Sequence, residues 1–331
     1  MNSELIIDAS SSEVSIALVE DKRLVELNKE KKENSFSVGD IYLGRVKKLM
    51  PSLNAAFVDI GYEKDAFLHY LDLGPQVQSL LKFMKTTVSG SQPEALLNNF
   101  EIEPDINKAG KIGQVLSQNM NIMVQIAKEP ISTKGPRITS ELSFAGRFVV
   151  LVPFSDIVSV SQKIKSSVER QRLKRLAQSI KPRNFGIIVR TVAEGKKVAD
   201  LDADIQDLCS RWESLHEMLK TAQPPTKILG EMNRTSTILR DLLNPNFNSI
   251  QVNDAALAEE IKSYIRSIAP DQVDIVKLYK GKVPIFENFG VDKQIKSLFG
   301  KTVTLSGGSY LVVEHTEALH VIDVNSGGRN K

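Results

Sequence analysis

Short apolar runs separated by glycine, proline and charged residues fill the N-terminal part of this chain. They follow one another closely between residues 5 and 69, and the clearest are 41–46, 54–60 and 65–69. Closely spaced strands with such punctuation are typical of a small barrel. The sequence therefore predicts a small β-barrel in the N-terminal part of the chain.

Length and composition limit the classes of protein that remain. The chain has 331 residues, of which 41% are hydrophobic and 25% charged, with a net charge of +3. At about 150 residues per domain this predicts about two folded domains. No apolar run reaches the roughly 18–20 residues that a membrane span needs, and the N-terminus lacks the pattern of a secretory signal. The single cysteine, Cys209, cannot form an internal disulfide or a zinc site alone, so we expect a cytoplasmic protein.

Beyond the barrel, periodicity alternates between helix and strand, which predicts an α+β protein. Residues 71–113 contain a helix near 76–85 and a polar stretch, 89–104, which we interpret as a mobile surface insertion in a barrel loop. Further helices are predicted over 168–180, 199–220, 235–243 and 255–268. Gln223-Pro224-Pro225 predicts a domain boundary, and three strands are predicted over 303–305, 310–313 and 319–324.

A basic stretch between residues 163 and 183 carries eight Lys and Arg residues against one acid, Glu169. Such a local excess could face phosphates, although a solvated helix face is the plainer interpretation of a charge run.

Several residues could carry chemistry. Phe57 and Phe67 lie on adjacent predicted strands, with Lys134 after the last barrel strand, and aromatic rings beside a cation form single-strand nucleic-acid platforms. The alternative is that both rings belong to the core. Arg190-Thr191 ends an apolar strand and could clamp a terminal phosphate, or be an ordinary surface pair.

At the C-terminal end, Asp323 and Asn325 share one face of a strand, where a carboxylate and an amide could position Mg²⁺ or simply cap a turn. The four histidines have no metal-ligand spacing. The sequence also contains no GxSxG, GxGxxG or P-loop motif.

Taken together, five segments resemble the bacterial ribonuclease E/G family, and more closely its ribonuclease G members. They are PSLNAAFVDIG at 51–61, AFL at 66–68, TKGPRIT at 133–139, GIIVRT at 186–191 and EALHVIDVNSG at 317–327. The resemblance runs in order from about residue 4 to 331.

The resemblance implies an α+β arrangement of subdomains. A split RNase H-like subdomain would comprise 1–36 and 226–300, with an inserted OB-fold RNA-binding barrel at 37–140 that includes the 71–113 insertion. A 5′-sensor region would follow at 141–225, and the first strands of a DNase I-like catalytic subdomain at 301–331.

The resemblance also implies roles for particular residues. Three match positions that contact single-stranded RNA: Phe57, Phe67 and Lys134. Four match a pocket for a 5′ monophosphate, in which Val150 would act through its backbone: Gly146, Val150, Arg190 and Thr191. Asp323 matches a metal-binding aspartate, and Asn325 matches its neighbouring active-site amide. The basic stretch matches no family site.

The function implied is that of an Mg²⁺-dependent endoribonuclease that prefers 5′-monophosphorylated single-stranded RNA and acts in rRNA processing and mRNA decay. The family chain continues further, with a second metal-binding aspartate and a cysteine pair that holds a zinc ion between subunits of a homo-oligomer. Because these are missing here, we expect a truncated chain with an incomplete Mg²⁺ site, no zinc link and little activity. The alternative is a non-catalytic RNA-binding fragment.

Overall fold

The computed structural model describes residues 2–9, 13–31, 36–232, 234–243, 247–305 and 307–328. They form two compact units, which are described separately. The first contains 1–33, 234–236 and 242–331, and the second contains 34–233 and 237–241.

The strands and helices follow in chain order. The strands are β1 (Ser3–Ala9), β2 (Glu13–Glu20), β3 (Arg23–Lys31), β4 (Ile41–Met50), β5 (Ala55–Asp59), β6 (Ala66–His69), β7 (Asn121–Lys128), β8 (Arg137–Thr139), β9 (Phe144–Ala145), β10 (Val149–Pro153), β11 (Val158–Val160), β12 (Phe185–Val189), β13 (Thr226–Leu229), β14 (Phe247–Val252), β15 (Val276–Leu278), β16 (Thr302–Thr304), β17 (Tyr310–His315) and β18 (His320–Asn325). The α-helices are α1 (Val77–Val88), α2 (Ser167–Ile180), α3 (Val198–Thr221), α4 (Arg234–Leu242), α5 (Ala255–Ile268), α6 (Ile285–Asn288) and α7 (Val291–Leu298).

The first unit is built on a mixed sheet in the order β15-β14-β1-β2-β3. Strand β1 is central, parallel to β14 and antiparallel to β2. This position explains its continuous apolar run, because a central strand covered on both faces needs apolar residues on each. Leu5, Ile6 and Ile7 are accordingly buried. Asp254 caps α5 by accepting a hydrogen bond from the Leu257 amide at 2.8 Å.

A separate antiparallel sheet, in the order β16-β17-β18, is formed by the last three strands of the first unit. It confirms the three strands that the sequence predicts there.

In the second unit, five strands close into a barrel in the order β4-β5-β6-β8-β7, with β7 returning to pair with β4. Ala56 and Val58 on β5, and Ala66 and Leu68 on β6, point inward and are fully buried. Gly44 on β4 is required by close packing, since a Cβ there would lie 2.6 Å from Val58 Cγ1. The predicted barrel is therefore confirmed, and its closed five-stranded form is consistent with an OB-like fold.

Next to the barrel, α2 and α3 pack on a four-stranded sheet in the order β11-β12-β10-β9. Trp212 of α3 is fully buried, and its ring lies against four phenylalanines: Phe83, Phe144, Phe154 and Phe185. The helical spacing predicted for α2 and α3 is thus confirmed, and the apolar stripe of α3 forms the centre of this core.

The stretch 89–104, interpreted from the sequence as a mobile surface insertion, has most of its residues exposed but is anchored in the core by two apolar side chains, which the sequence analysis did not anticipate. Leu97 and Phe100 are buried in the same core as Trp212. The Trp212 indole donates to the Ala95 carbonyl at 2.7 Å, and the Asn184 amide donates to the Leu97 and Phe100 carbonyls at 2.8 Å each. A segment with few apolar residues is held here because distant side chains satisfy its backbone carbonyls.

Strand β13 pairs with β4, so Thr226–Leu229 lie in the second unit, although the predicted boundary at 226 assigns them to the split subdomain. The four-subdomain division is finer than the two units and stays a prediction. Within the described residues, no helix is both long and apolar enough to cross a membrane.

Candidate functional site

Phe57 and Phe67 stand opposite each other on β5 and β6. Their rings are 5.8 Å apart between centroids and inclined at 66°. Both side chains are only half-buried, because the residues on either side of each one point into the barrel. The core alternative for the two rings is therefore wrong, and they form an aromatic surface on the outside of the barrel.

Lys134 lies beside these rings, on an exposed turn that leads into β8. Together they line an open groove of about 650 Å³, to which Lys64 and Arg137 also contribute. The turn can approach because position 135 is glycine, where a Cβ would lie 2.3 Å from the Asp65 carbonyl oxygen. The structure thus brings the three predicted RNA-binding residues into one groove.

Strand register extends this surface into a row across four strands. Lys48 pairs with Phe57, Phe57 with Phe67, and Phe67 with Arg137. Lys48 and Arg137 are exposed, and the Arg137 guanidinium donates two hydrogen bonds of 2.9 Å to Asp72. Sequence analysis missed both cations, because the bulge between residues 46 and 48 sets the register and has no local signal.

The predicted 5′-phosphate residues lie at the sheet β11-β12-β10-β9. Arg190 follows β12, and its side chain is 21% exposed. Its guanidinium donates to the Gly146 carbonyl at 2.7 Å and to the Asp241 carboxylate at 2.8 Å. The Thr191 hydroxyl lies 3.0 Å from the Ser161 hydroxyl. Gly146 and Arg190, which the resemblance assigns to one pocket, are therefore in contact, and their role toward a phosphate stays a prediction.

A carboxylate that sequence analysis missed organises the backbone between Gly146 and Val150. Asp204 of α3 accepts hydrogen bonds of 2.8–2.9 Å from the amides of Arg147, Phe148 and Val149. Burial raises the pKa of Asp204, and the three amides oppose that rise. A Cβ at Gly146 would lie 2.5 Å from the Asp204 carboxylate, so only glycine fits.

The three hydrogen bonds from the backbone amides of residues 147–149 to Asp204 form what we call the Asp204 cradle. The cradle changes which groups are free to contact a 5′ phosphate. The amides of Arg147, Phe148 and Val149 are used by Asp204, and the Gly146 amide donates to the Val149 carbonyl at 2.8 Å. Val150 lies within β10, between Ala145 of β9 and Ile188 of β12. A phosphate at this place would therefore depend mainly on the side chains of Arg190 and Thr191.

Asp323 and Asn325 are on the same face of β18, as predicted from their spacing. The Asn325 amide donates to the Asp323 carboxylate at 2.9 Å, and Asp323 is exposed. Oxygen donors of this kind suit Mg²⁺. Across the described part of the chain, no cluster of three or more His, Cys, Asp or Glu side chains could hold a metal ion.

Two features elsewhere bear on the predictions about histidine and cysteine. His315 and His320 face each other across the β17–β18 hairpin, although their separation in sequence gave no metal-ligand spacing. Cys209 is buried, and this raises the pKa of its thiol to about 11. The thiol is therefore protonated at neutral pH, and Cys209 packs as a residue of the core.

The fold and the barrel surface define a class: an α+β protein with an OB-like barrel that presents aromatic and basic side chains. Comparison with known proteins then places the chain within that class. The model of the ribonuclease E/G family matches residues 143–331. The chain is 35% identical over 324 residues to Ribonuclease G of Haemophilus influenzae, covering 98% of this chain and 62% of that protein.

Other relatives agree. The chain is 32% identical over 327 residues to Ribonuclease G of Escherichia coli K12, covering 99% of this chain and 63% of that protein. It is 34% identical over 294 residues to Ribonuclease E of a Nostoc species, covering 88% of this chain and 39% of that protein. The chain belongs to the ribonuclease E/G family, which confirms the resemblance seen in the sequence. It spans less than two thirds of the length of these relatives.

Proposed function

We propose that this chain binds single-stranded RNA as part of an endoribonuclease of the ribonuclease E/G type. The observation that carries the proposal is the groove on the barrel, where Phe57 and Phe67 face outward beside Lys134. The relatives named Ribonuclease G and Ribonuclease E support the class of reaction.

The groove favours unpaired nucleotides for a physical reason. A base must leave its duplex stack to lie on an aromatic ring, and each such contact is worth roughly 1–3 kcal/mol. The row from Lys48 to Arg137 puts cations on both sides of the rings, where phosphates of a bound strand would pass. Single-stranded RNA therefore suits the groove better than a duplex does.

A preference for a 5′ monophosphate is the second part of the proposal. A terminal phosphate carries about −1.5 to −2 charges at neutral pH and three acceptor oxygens. Arg190 supplies a planar charged donor and Thr191 a hydroxyl within one residue of it. The contact from Arg190 to the Gly146 carbonyl supports this role, because it holds the guanidinium in one orientation.

For cleavage, we propose that Asp323 holds Mg²⁺ with help from Asn325. The donor set fits a hard cation, since both side chains offer oxygen and Asp323 is accessible. When bound, the ion would supply positive charge at the phosphate that is cleaved. Asn325 would keep the Asp323 carboxylate oriented through its 2.9 Å hydrogen bond.

The proposal also includes the subdomain types, the location and the assembly that the family resemblance implies. They are the RNase H-like and DNase I-like subdomains, the cytoplasmic location and the homo-oligomeric assembly of the family. The alternative, a non-catalytic RNA-binding chain, is favoured by one observation: among the described residues, Asp323 belongs to no cluster of three or more His, Cys, Asp or Glu side chains that could hold a metal ion.

Binding of fluorescent RNA, followed by anisotropy, tests the proposal. The chain should bind a single strand of about 12 nucleotides, within the range of OB-fold sites, more tightly than a duplex of the same sequence. The double variant Phe57→Ala/Phe67→Ala should lose at least tenfold in affinity. Phe299→Ala is the matched control, because Phe299 is 85% exposed and lies outside the groove. Equal affinity of the double variant and the unmodified chain would refute the groove.

A cleavage assay separates the two candidate functions. Mg²⁺-dependent cleavage of the single strand that EDTA stops supports the enzyme. RNA binding without cleavage supports the non-catalytic alternative.

A further inference from the structure

The basic segment, residues 163–183, contains five exposed cations that have no acidic partner among the described residues. They are Lys163, Lys165, Lys174, Arg175 and Arg183. The other three cations are engaged: Arg172 pairs with Glu169, Lys181 pairs with Asp156, and Arg170 donates to the carbonyls of Ile164 and Lys165. The exposed charge is therefore not neutralised within the part of the chain that the structure describes.

Helix α2 presents part of this charge on one face. Leu173 and Ala177 are fully buried and fix the inward face. Lys174 and Arg175 point outward, where the helical repeat also places the exposed Gln171 and Gln178. The segment contains no aromatic residue, so it offers charge and amides but no stacking surface.

The segment is joined to the residues of the proposed 5′-phosphate pocket. The Ser161 hydroxyl, two residues before Lys163, lies 3.0 Å from the Thr191 hydroxyl. From α2, Glu169 accepts from the Gly195 amide at 2.8 Å and Arg172 donates to the Lys196 carbonyl at 2.9 Å. The turn after Thr191 and the start of the basic segment thus both follow the C-terminal ends of the paired parallel strands β11 and β12.

We propose that the basic segment binds the phosphate backbone of the nucleotides that follow the RNA 5′ end. This inference rests on the proposed function, because it takes the 5′ end to be at Arg190 and Thr191. Unpaired cations on a segment that itself contains no aromatic residue suit phosphates and carry no base preference. Helix α2 has 14 residues, which at about 1.5 Å each span about 21 Å, the length of roughly six stacked nucleotides. The segment therefore makes a track that positions RNA independently of its sequence.

The salt dependence of RNA affinity measures this track directly. For single-stranded RNA, a plot of log affinity against log salt concentration has a negative slope. Each phosphate contact that is lost reduces the magnitude of that slope by about 0.7. With a 5′-monophosphorylated single strand, Lys174→Gln/Arg175→Gln should reduce the slope by about 1.4 and weaken binding at low salt. The matched control is Lys85→Gln/Lys108→Gln, which removes the same charge from exposed positions of the same unit and should leave the slope unchanged.

Crosslinking locates the contact. A 4-thiouridine at the third nucleotide from the 5′ end should crosslink to the peptide containing the basic segment, and one near the 3′ end should not. Crosslinks from both positions in equal yield would overturn the assignment to the 5′ end, as would a slope that matches the control.

The outcomes distinguish this inference from the function on which it rests. If the unmodified chain does not bind RNA, the proposed function fails. If the chain binds RNA and Phe57→Ala/Phe67→Ala weakens binding, but Lys174→Gln/Arg175→Gln keeps the full slope, only the role of the basic segment fails.

Discussion

The Arg190 guanidinium donates to the Asp241 carboxylate at 2.8 Å, across 51 residues of sequence. The Asp241 side chain is 36% exposed and also accepts from Arg240 at 3.0 Å. Asp241 therefore orients Arg190, while its negative charge offsets part of the attraction that Arg190 would exert on a phosphate. The two effects lead to separate predictions.

Removing the guanidinium should remove the preference for a 5′ monophosphate. Charge-assisted hydrogen bonds are worth roughly 1.5–3 kcal/mol, so the unmodified chain should prefer the monophosphate over a 5′ hydroxyl by about tenfold or more. Arg190→Ala should bring the two RNAs to equal affinity and leave the hydroxyl form nearly unchanged. Thr191→Val, which removes only a hydroxyl, should have a smaller effect. The sensor role is wrong if the unmodified chain binds both RNAs equally.

Neutralising the neighbouring carboxylate should act in the opposite direction. Asp241→Asn keeps an oxygen acceptor for Arg190 but removes a negative charge close to the phosphate site. We expect the monophosphate to bind several-fold more tightly and the hydroxyl form to change little, as measured by anisotropy with the two RNAs. A weaker monophosphate preference in this variant would mean that the ion pair's orienting effect dominates.

A methyl group at residue 146 should break the Asp204 cradle. It would lie 2.5 Å from the carboxylate, so Asp204 must move and leave backbone amides unpaired. Each unpaired buried group costs roughly 1–3 kcal/mol, and Gly146→Ala should therefore lower the free energy of unfolding in urea by about 2 kcal/mol or more. Gly113→Ala is the control, since no atom lies within 4 Å of a Cβ there. Similar losses in both variants would contradict the close-packing argument.

The hydrogen bonds of Glu169 with Arg172 and with the Gly195 amide should make the stability of the folded protein depend on pH. The Arg172 guanidinium and the Gly195 amide lower the pKa of Glu169 from 4.5 to about 2 in the folded protein. A lowered folded pKa gives stability that is fully present above about pH 4.5 and is lost as the pH falls toward 2. Glu169→Gln should therefore lower Tm at pH 6, and the difference should shrink by pH 3. A Tm difference that stays constant over this range would show that the ion pair has no such effect.

Any Mg²⁺-dependent cleavage should require Asp323. Asp323→Asn removes the carboxylate charge, and cleavage of labelled single-stranded RNA should fall at least a hundredfold while RNA affinity stays unchanged. Asn325→Ala should reduce the rate less, because it removes only the hydrogen bond at 2.9 Å. Undiminished cleavage by Asp323→Asn would exclude this strand as the catalytic site.

Much of the secondary structure could be predicted because the signals are local. The stripes of α2 and α3 repeat within a few residues, and the common face of Asp323 and Asn325 follows from strand geometry alone. The family resemblance assigned distant residues, including Gly146 and Arg190, to one expected pocket, and the structure places these two in contact.

Other features had no local signal. The packing of 89–104 depends on donors from Asn184 and Trp212, which are separated from their acceptors by 84–117 residues. Asp204 looks like any other acid of α3 until the backbone of 147–149 is folded against it. Charge and burial at such places depend on which distant segments meet.

The amino-acid sequence accounts for which elements form, because the apolar period within each segment selects helix or strand. It also determined which residue types are available for RNA, phosphate and metal. The outward orientation of Phe57 and Phe67 depends on the tertiary structure, since barrel closure and strand register set which face of each strand is buried. The tertiary structure likewise decided the partners of Arg190, because Gly146 and Asp241 reach it from segments 44 and 51 residues away.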